Sequence, residues 1–248
     1  MKKKISILMT VYNSEKYVSK SIQSILNQTY KNFEFIIVDD FSNDKTRKIL
    51  KKIKNKKVKI YLLQKRLGRT KALNYGLKKC RSNIIAIQDA DDISNKRRIL
   101  ISMNELQKND STGLVATNFD IINEKGKTLK KLNNRLQKVR DKINLKFVNT
   151  IAHSSIIFKK DHLPYSKYDD SFIYAQDYKL ILSFLRFSKI KILKKKLLKL
   201  RVYKENMSSL SSYKKIRIKE NLRLLNFSLT YLNPNAFEKI KIYFMKIK

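Results

Sequence analysis

The chain has 248 residues, 42% of them apolar and 10% aromatic, with two prolines and four glycines; it is long enough for one substantial core plus an appendage and is not composed like a disordered chain. Cys80 is the only cysteine, which excludes an intramolecular disulfide, and no apolar run approaches the roughly 18–20 residues of a membrane span. The formal charge of +37, from 57 Lys and Arg against 20 Asp and Glu, would attract nucleic acid, anionic lipid or phosphorylated substrates, but it is spread along the chain and by itself names no partner.

No leader is visible at the N-terminus, so the expected location is the cytoplasm, free or peripheral at the inner face of the plasma membrane. Ile5 to Met9 reads as a first strand, with Thr10-Val-Tyr-Asn13 as a tight polar loop after it. From Ser14 to about Asn27 the pattern is helical, Val18, Ile22, Ile25 and Leu26 sharing one face. Phe33 to Val38 is a second strand and ends in Asp39 and Asp40; Asp44 is placed to cap a helix running to about Lys52. Val58 to Leu63 is a third strand. Gly68 opens a helix with Ala72, Leu73 and Leu77 on one side.

Ile84-Ile-Ala-Ile87 is β-branched, short and apolar, and reads as a buried strand of a parallel sheet. It ends in Asp89, Asp91 and Asp92, which would emerge where open α/β sheets place their ligands. Like charges so close repel and raise one another's pKa. A hard divalent cation, Mg²⁺ or Mn²⁺, relieves that repulsion by taking carboxylate oxygens. A polar turn with an Asp helix cap is the plainer reading; the strand before and the helix after favour a metal–diphosphate site. The β-α-β-α-β-α-β alternation predicts an α/β fold with a mostly parallel sheet and helices on both faces.

Arg97 to Leu106 reads as a helix with Ile99, Leu100, Met103 and Leu106 inward. Gly113–Ile122 and Thr150–Phe158 look extended, and the basic, polar stretch Asn123–Lys146 between them reads as a loop or acceptor-facing insertion. Asp177–Phe187 is helical, and Ile190–Tyr203 reads as short, lysine-loaded strands. After Ser212, the residues Ile218, Leu222, Leu225, Leu229 and Leu232 form a helical stripe, which Pro234 ends. A short helix then carries Phe237, Ile240, Phe244 and Ile247 among Lys239, Lys241, Lys246 and Lys248. Such a tail either lies on an anionic membrane surface or docks on the catalytic domain or a second subunit.

In this order the segments ISILMTVYNSEKYVSKSIQSILNQTY, FEFIIVDDFSNDKT, LGRTKALNYGL, IIAIQDADDIS, IAHSSIIFKK, YAQDYKLIL and LRVYKENMSS resemble the family 2 glycosyltransferases of the GT-A fold, bacterial enzymes that build cell-surface polysaccharides. The resemblance covers about residues 4–210. It implies a Rossmann-like catalytic domain over residues 1–211, a basic amphipathic helical extension over 212–248, and an inverting, metal-dependent transfer from a nucleoside-diphosphate sugar to a glycan or lipid-linked acceptor. It sets Thr10, Tyr12 and Asn13 against the nucleoside, and Asp40, with Asp39 beside it, against the base, uracil being the usual case. Asp89 and Asp91 become the D-x-D pair facing ribose and, through Mn²⁺ or Mg²⁺, diphosphate, with Asp92 a second metal candidate.

Asp177 matches the family's general base; the Glu that often precedes it is Gln176 here. Without the resemblance, Asp177 reads as an ordinary acid in a helix's first turn. His153 matches a position near the acceptor or is a buried structural histidine. Tyr203 stands where some relatives carry a histidine. Arg69 and Lys71 are candidates for phosphate, or part of a solvated basic face. A sugar-1-phosphate nucleotidylyltransferase would need a glycine-rich loop after the first strand, where MTVYNS stands. A nucleic-acid-binding protein is suggested by charge alone, and no basic motif supports a specific nucleic-acid partner.

Overall fold

The computed structural model describes residues 3–130, 133–134, 145–146, 149–203 and 214–232. Four parallel strands, β1 (Ile5–Val11), β2 (Phe33–Asp39), β3 (Val58–Leu62) and β4 (Ile84–Ile87), lie in the order β3-β2-β1-β4. Three helices make the crossovers: α1 (Val18–Leu26), α2 (Thr46–Lys51) and α3 (Arg69–Lys79). Side chains alternate along a strand, so β1 feeds two cores. Ile5, Ile7 and Met9 pack with Val18, Ile22 and Ile25 of α1, while Leu8 packs on the other face with Ile36, Val38, Ala72, Leu73 and Leu77.

The chain steps from β1 outward to β3 and then returns to β4 on the other side of β1. The crevice between the C-terminal ends of β1 and β4 is therefore the topological switch point, where such sheets bind ligands. Tyr12 and Asn13 follow one strand and Gln88 to Asp92 follow the other.

Beyond β4 the sheet becomes mixed. The further strands are β5 (Ile93–Ser94), β6 (Thr112–Ile122), β7 (Ile156–Lys159) and β8 (Lys189–Arg201), with helices α4 (Arg98–Leu106), α5 (Gln176–Phe187) and α6 (Lys214–Leu232). β7 runs antiparallel to both β4 and β6, β8 is parallel to β6, and β5 is antiparallel to β8, which completes an eight-stranded sheet. No helix among the described residues is long and apolar enough to cross a membrane.

Several local expectations are corrected. The first strand continues through Thr10 and Val11, which pair with Val38 and Asp39, so Thr10 is not in the loop. The first helix begins at Val18 instead of Ser14; ahead of it the backbone N–H groups of Ser14 and Glu15 donate to Thr46 Oγ1 (2.8 Å) and Asp44 Oδ2 (3.1 Å). Of the stretch expected to be extended from Thr150, only Ile156–Lys159 is strand, and a 3₁₀ turn occupies His153–Ser155. The lysine-rich strands are one strand, β8, whose pairing with β6 shifts register around Thr117 and Asn118. Much of the basic segment 123–146, the expected domain boundary at residues 211–212 and the tail after Pro234 lie outside the described residues.

The stripe on the last helix is not the face that packs. Ile218 and Leu222 are more than half exposed, while Glu220, Leu224 and Ser228 are buried and Phe227 packs against the main core. At 100° per residue the two sets lie on opposite sides of α6, so this helix carries apolar residues on both.

Helix α3 crosses β1 and β2 at Gly76. A Cβ there would stand 2.3 Å from Leu8 Cδ1 and 3.1 Å from Val38 Cγ2. Gly76→Val is expected to lower the unfolding free energy by about 1–3 kcal/mol through overpacking. A denaturant titration checks it, and an unchanged midpoint would show that the helix can ride higher on the sheet at no cost.

Candidate active site

The turn after β4 is shaped from beneath by Gln88, which is fully buried. Its amide nitrogen donates to Ser21 Oγ (3.0 Å) and to the carbonyls of Asp89 (3.2 Å) and Asp92 (3.0 Å). Its carbonyl oxygen accepts from Ser94 Oγ (2.6 Å) and Arg98 Nη2 (3.3 Å). The three carboxylates leave this turn in different surroundings. Asp92 is 1% exposed: Oδ2 accepts from the Ser154 hydroxyl and Oδ1 from the Arg201 N–H (2.8 Å). Burial, then the charges of Asp91 and Asp89, push its pKa well above the ordinary value.

Asp89 makes an ion pair with Arg69 Nη2 at 2.7 Å and has His153 Nδ1 at 3.7 Å. Burial opposes its charge, but the Arg69 guanidinium beside it holds the carboxyl well below the usual carboxylate range. Asp91 accepts from the Tyr203 hydroxyl at 3.1 Å and remains partly exposed. Burial and then the Asp89 charge raise its pKa.

Arg69 joins this turn to the second half of the chain. Its Nη2 also lies 3.2 Å from His153 Nδ1; with the Gln176 amide oriented as its neighbours require, the Arg69 Nε donates to the Gln176 side-chain oxygen at 3.1 Å and the Gln176 nitrogen donates to the carbonyls of Ile173 and Tyr174. Burial opposes the guanidinium's charge, but Asp89 and then Asp177 hold its pKa above the ordinary value. Asp177 follows Gln176 in the first turn of α5; its Oδ2 accepts from Asn149 Nδ2 at 3.3 Å. His153 is 5% exposed and bonds Tyr168 through Nε2 at 2.8 Å. Because Arg69 only donates, this contact makes Nδ1 the acceptor and Nε2–H the donor to Tyr168.

The end of β2 has its own acids. Asp40 accepts from the backbone N–H of Leu67 (2.7 Å) and Gly68 (2.9 Å), which fixes the loop that launches α3. Burial raises its pKa against those two hydrogen bonds. Asp39 Oδ2 takes Arg47 Nε at 2.6 Å and Ser42 N at 3.2 Å, while its buried Oδ1 has no protein partner among the described residues. Arg66 lies over the Tyr12 ring at 3.9 Å, and Asn13 bonds residues 42 and 43. Thr10 is buried at the end of β1, and Lys71 is exposed on α3.

The structure thus brings Asp89, Asp91, Asp92, Arg69 and His153 together at the switch point, with Asp177 next in the chain to Gln176, which Arg69 contacts, and with Thr10, Tyr12, Asn13, Asp39 and Asp40 at the neighbouring strand ends. Among the described residues no three His, Cys, Asp or Glu side chains converge as a ready metal cage. The donor chemistry still suits a hard cation that takes its remaining ligands from water and a diphosphate: Asp91 is a partly exposed carboxylate with a raised pKa, whereas Asp92 has both oxygens engaged.

Three participants were not singled out from the sequence. Gln88 and Arg98 are buried polar residues on either side of the acids in the chain, and an arginine on an apolar helix face was the available signal for Arg98. Glu220, which bonds the backbone just before α5, had none.

A sheet whose switch point is lined by these acids, closed by mixed strands and flanked by helices, has the GT-A glycosyltransferase fold. It superimposes on S. aureus TarS 1-349 in complex with UDP-GlcNAc with a TM-score of 0.68 at 19% identity, covering 94% of this chain and 75% of that one. The mannosyltransferase PcManGT from Pyrobaculum calidifontis, in complex with GDP-Man and Mn²⁺, gives 0.65 at 17% identity over 94% and 74%. Residues 6–163 match the sequence profile of glycosyl transferase family 2, and the chain belongs to that family.

It is 40% identical over 166 residues to the O-antigen biosynthesis glycosyltransferase WbnJ of Escherichia coli, covering 63% of this chain and 62% of the relative. To an uncharacterized glycosyltransferase of Methanocaldococcus jannaschii it is 34% identical over 179 residues, covering 70% and 62%. The matched part thus spans about three fifths of the length of these relatives.

Asp92 separates bracing from ligand binding. Asp92→Ala is expected to destabilise the fold by about 1–3 kcal/mol for each buried donor it leaves unsatisfied, Ser154 and the Arg201 amide, whereas Asp91→Asn should stay within about 1 kcal/mol of the parent. Urea unfolding of the two variants side by side checks the contrast.

Proposed function

We propose that this protein is an inverting glycosyltransferase that moves a sugar from a nucleoside-diphosphate sugar, in the first instance a UDP-sugar, to a hydroxyl of a glycan or lipid-linked glycan in surface polysaccharide synthesis. The observation that carries this reading is the Arg69 bridge. One guanidinium contacts Asp89 at the end of β4 and Gln176 at the start of α5, and the residue after Gln176 is Asp177, the carboxylate suited to a base. Family membership, the E. coli O-antigen relative, and structural neighbours bound to UDP-GlcNAc or to GDP-Man with Mn²⁺ support it.

In this reading Tyr12, Asn13 and the buried Thr10 border the nucleoside, and Asp39 and Asp40 face its base, Asp39 Oδ1 being a buried acceptor without a protein partner among the described residues. Asp89, committed to Arg69, faces the ribose side, and Asp91 is the metal ligand in preference to Asp92. A Mg²⁺ or Mn²⁺ held by Asp91 together with the diphosphate would neutralise charge on the leaving group. Lys71 is an exposed cation in the first turn of α3 for phosphate; Arg69 acts on the same charge from behind Asp89. Asp177 removes the acceptor hydroxyl's proton as its oxygen bonds to the anomeric carbon. The bond from that carbon to the diphosphate oxygen breaks on the opposite face, and the configuration inverts.

The test is a panel of UDP-, GDP- and TDP-sugars scored for Mn²⁺-dependent thermal stabilisation and for transfer. One donor should stand out. Asp91→Asn should abolish the metal-dependent part of the stabilisation, and Asp177→Asn should cut transfer about 10²- to 10⁴-fold with nucleotide affinity unchanged. Normal transfer by the Asp177 variant, or metal-independent binding of every sugar nucleotide, would remove the reading.

A lipid-linked acceptor implies an anionic membrane surface. Ile218 and Leu222 on the outward face of α6, with Lys215 and Lys219 alongside, are the described residues that suit one. Ile218→Glu combined with Leu222→Glu should keep the melting temperature and turnover on a soluble acceptor while losing salt-sensitive binding to phosphatidylglycerol vesicles. Unchanged vesicle binding would assign the attraction to net charge alone.

A further inference from the structure

Helix α5 begins at Gln176, with Ala175, which offers no side-chain acceptor, at the N-cap position; the Gln176 amide, in the orientation that satisfies both its ends, is turned back to the carbonyls of Ile173 and Tyr174. The backbone leading into this helix is held by another helix. Glu220 of α6, 4% exposed, accepts from three consecutive N–H groups, those of Ile173 at 2.7 Å, Tyr174 at 2.9 Å and Ala175 at 2.8 Å. Hydrogen bonds from backbone N–H groups to a carboxylate are short and directional, so three of them fix this stretch of backbone. Arg223, one turn along α6, adds bonds to the Ser171 carbonyl at 3.1 Å and Ser171 Oγ at 2.9 Å.

The same segment is held from the opposite side by α3. The Thr70 hydroxyl donates to the Phe172 carbonyl at 2.6 Å, and Asn74 bonds the Tyr168 carbonyl (3.0 Å), the Tyr168 N–H (2.8 Å) and Asp170 Oδ1 (2.6 Å). Residues 168–175 are therefore clasped between α3, whose first residue Arg69 reaches Asp89, and α6. The next two residues in the chain are Gln176, which contacts Arg69, and Asp177.

We propose that Glu220 is a positioning residue for the general base: its carboxylate locks the backbone of residues 173–175 and so sets where Asp177 stands relative to the Arg69–Asp89 pair. This rests on the reading of Asp177 as the base. Because Glu220 lies beyond residues 6–163, the part matching the family profile, the last helix becomes part of the catalytic apparatus and not an appendage. Glu220 touches no reacting atom; it acts only through the residue it orients.

A double-mutant cycle on the full chain tests this, with Glu220→Gln as the near-isosteric change. The amide keeps the shape but offers one acceptor oxygen and turns an NH₂ toward the remaining donors. Assays run well below the melting temperature of the least stable variant. In the parent, Glu220→Gln is expected to lower kcat about 10- to 100-fold, the scale of a slightly misplaced catalytic group, with donor KM and nucleotide affinity within about two-fold. In an Asp177→Asn background the same change should cost less than about three-fold, because the group it orients is already disabled.

Amide exchange at residues 173–175 should quicken in step with the loss. A parent kcat within two-fold of normal, or an equal loss in both backgrounds, overturns the proposal. Asp177→Asn by itself retaining full transfer would instead strike at the base assignment, and with it there is nothing for Glu220 to orient. Should Glu220→Gln fail to fold, Glu220→Asp, which keeps the charge, takes its place in the same cycle.

Discussion

Three carboxylates within four positions at the end of a four-residue strand are the constraint from which the rest of this structure follows. Left alone in a buried turn they would repel one another and take up protons. The chain sets guanidiniums from three different elements around this turn. Arg69 of α3 pairs with Asp89. Arg201 at the end of β8 donates its backbone N–H to Asp92 and its Nε to the Asp91 carbonyl at 2.9 Å, and its Nη1 reaches the carbonyls of Asn123 and Glu124. Arg98 of α4 lies fully buried beneath, bonded to Ser94 Oγ and the Ile87 carbonyl, its pKa lowered to about 10 by burial although Asp92 and Asp89 oppose the shift. A buried cation is costly unless negative charge stands near it, and here the acidic turn supplies that charge.

This requirement ties the two halves of the molecule together. β8 closes on β6 and β5 so that Arg201 can reach the turn, and Arg201 also stacks over Tyr17, whose ring lies 5.1 Å from that of Tyr203. Tyr203 in turn bonds Asp91. On the other side, Arg69 links the acids to Gln176, and the approach to Asp177 is held by α3 and α6. The site is an assembly of residues far apart in the chain, the Arg69–Asp89 bond spanning 20 positions and the Tyr203–Asp91 bond 112.

The positive charge divides by residue type. The cations that hold the site are arginines, whose planar, weakly hydrated guanidinium tolerates burial and makes several directed bonds at once. The lysines are mostly on the surface: those of β8, at positions 189, 191, 194, 195, 196 and 199, are all exposed. Most of the formal charge of +37 is therefore a solvated coat, and a small part of it does the positioning.

The strands of the parallel half and their acidic ends were legible because burial on both faces demands unbroken apolar runs, and because carboxylates have few reasons to crowd at a strand's end. The order of the motifs and the place of Asp177 in the first turn of a helix were legible for the same local reasons. The register of the last helix was not: α6 has apolar residues on two sides, periodicity counts both alike, and the choice between them fell to the Glu220 carboxylate and the three N–H groups it meets.

Nor could the sequence say that Asp92 braces Ser154 and Arg201, that Asp89 pairs with Arg69, or that Arg98 and Gln88 support the turn from below. Local pattern records how buried a side chain will be; which distant donor its oxygen finds depends on strand order and on how helices cross the sheet. Those were decided by the tertiary structure, since a buried polar group takes the partner that packing brings within about 3 Å, whatever their separation in sequence.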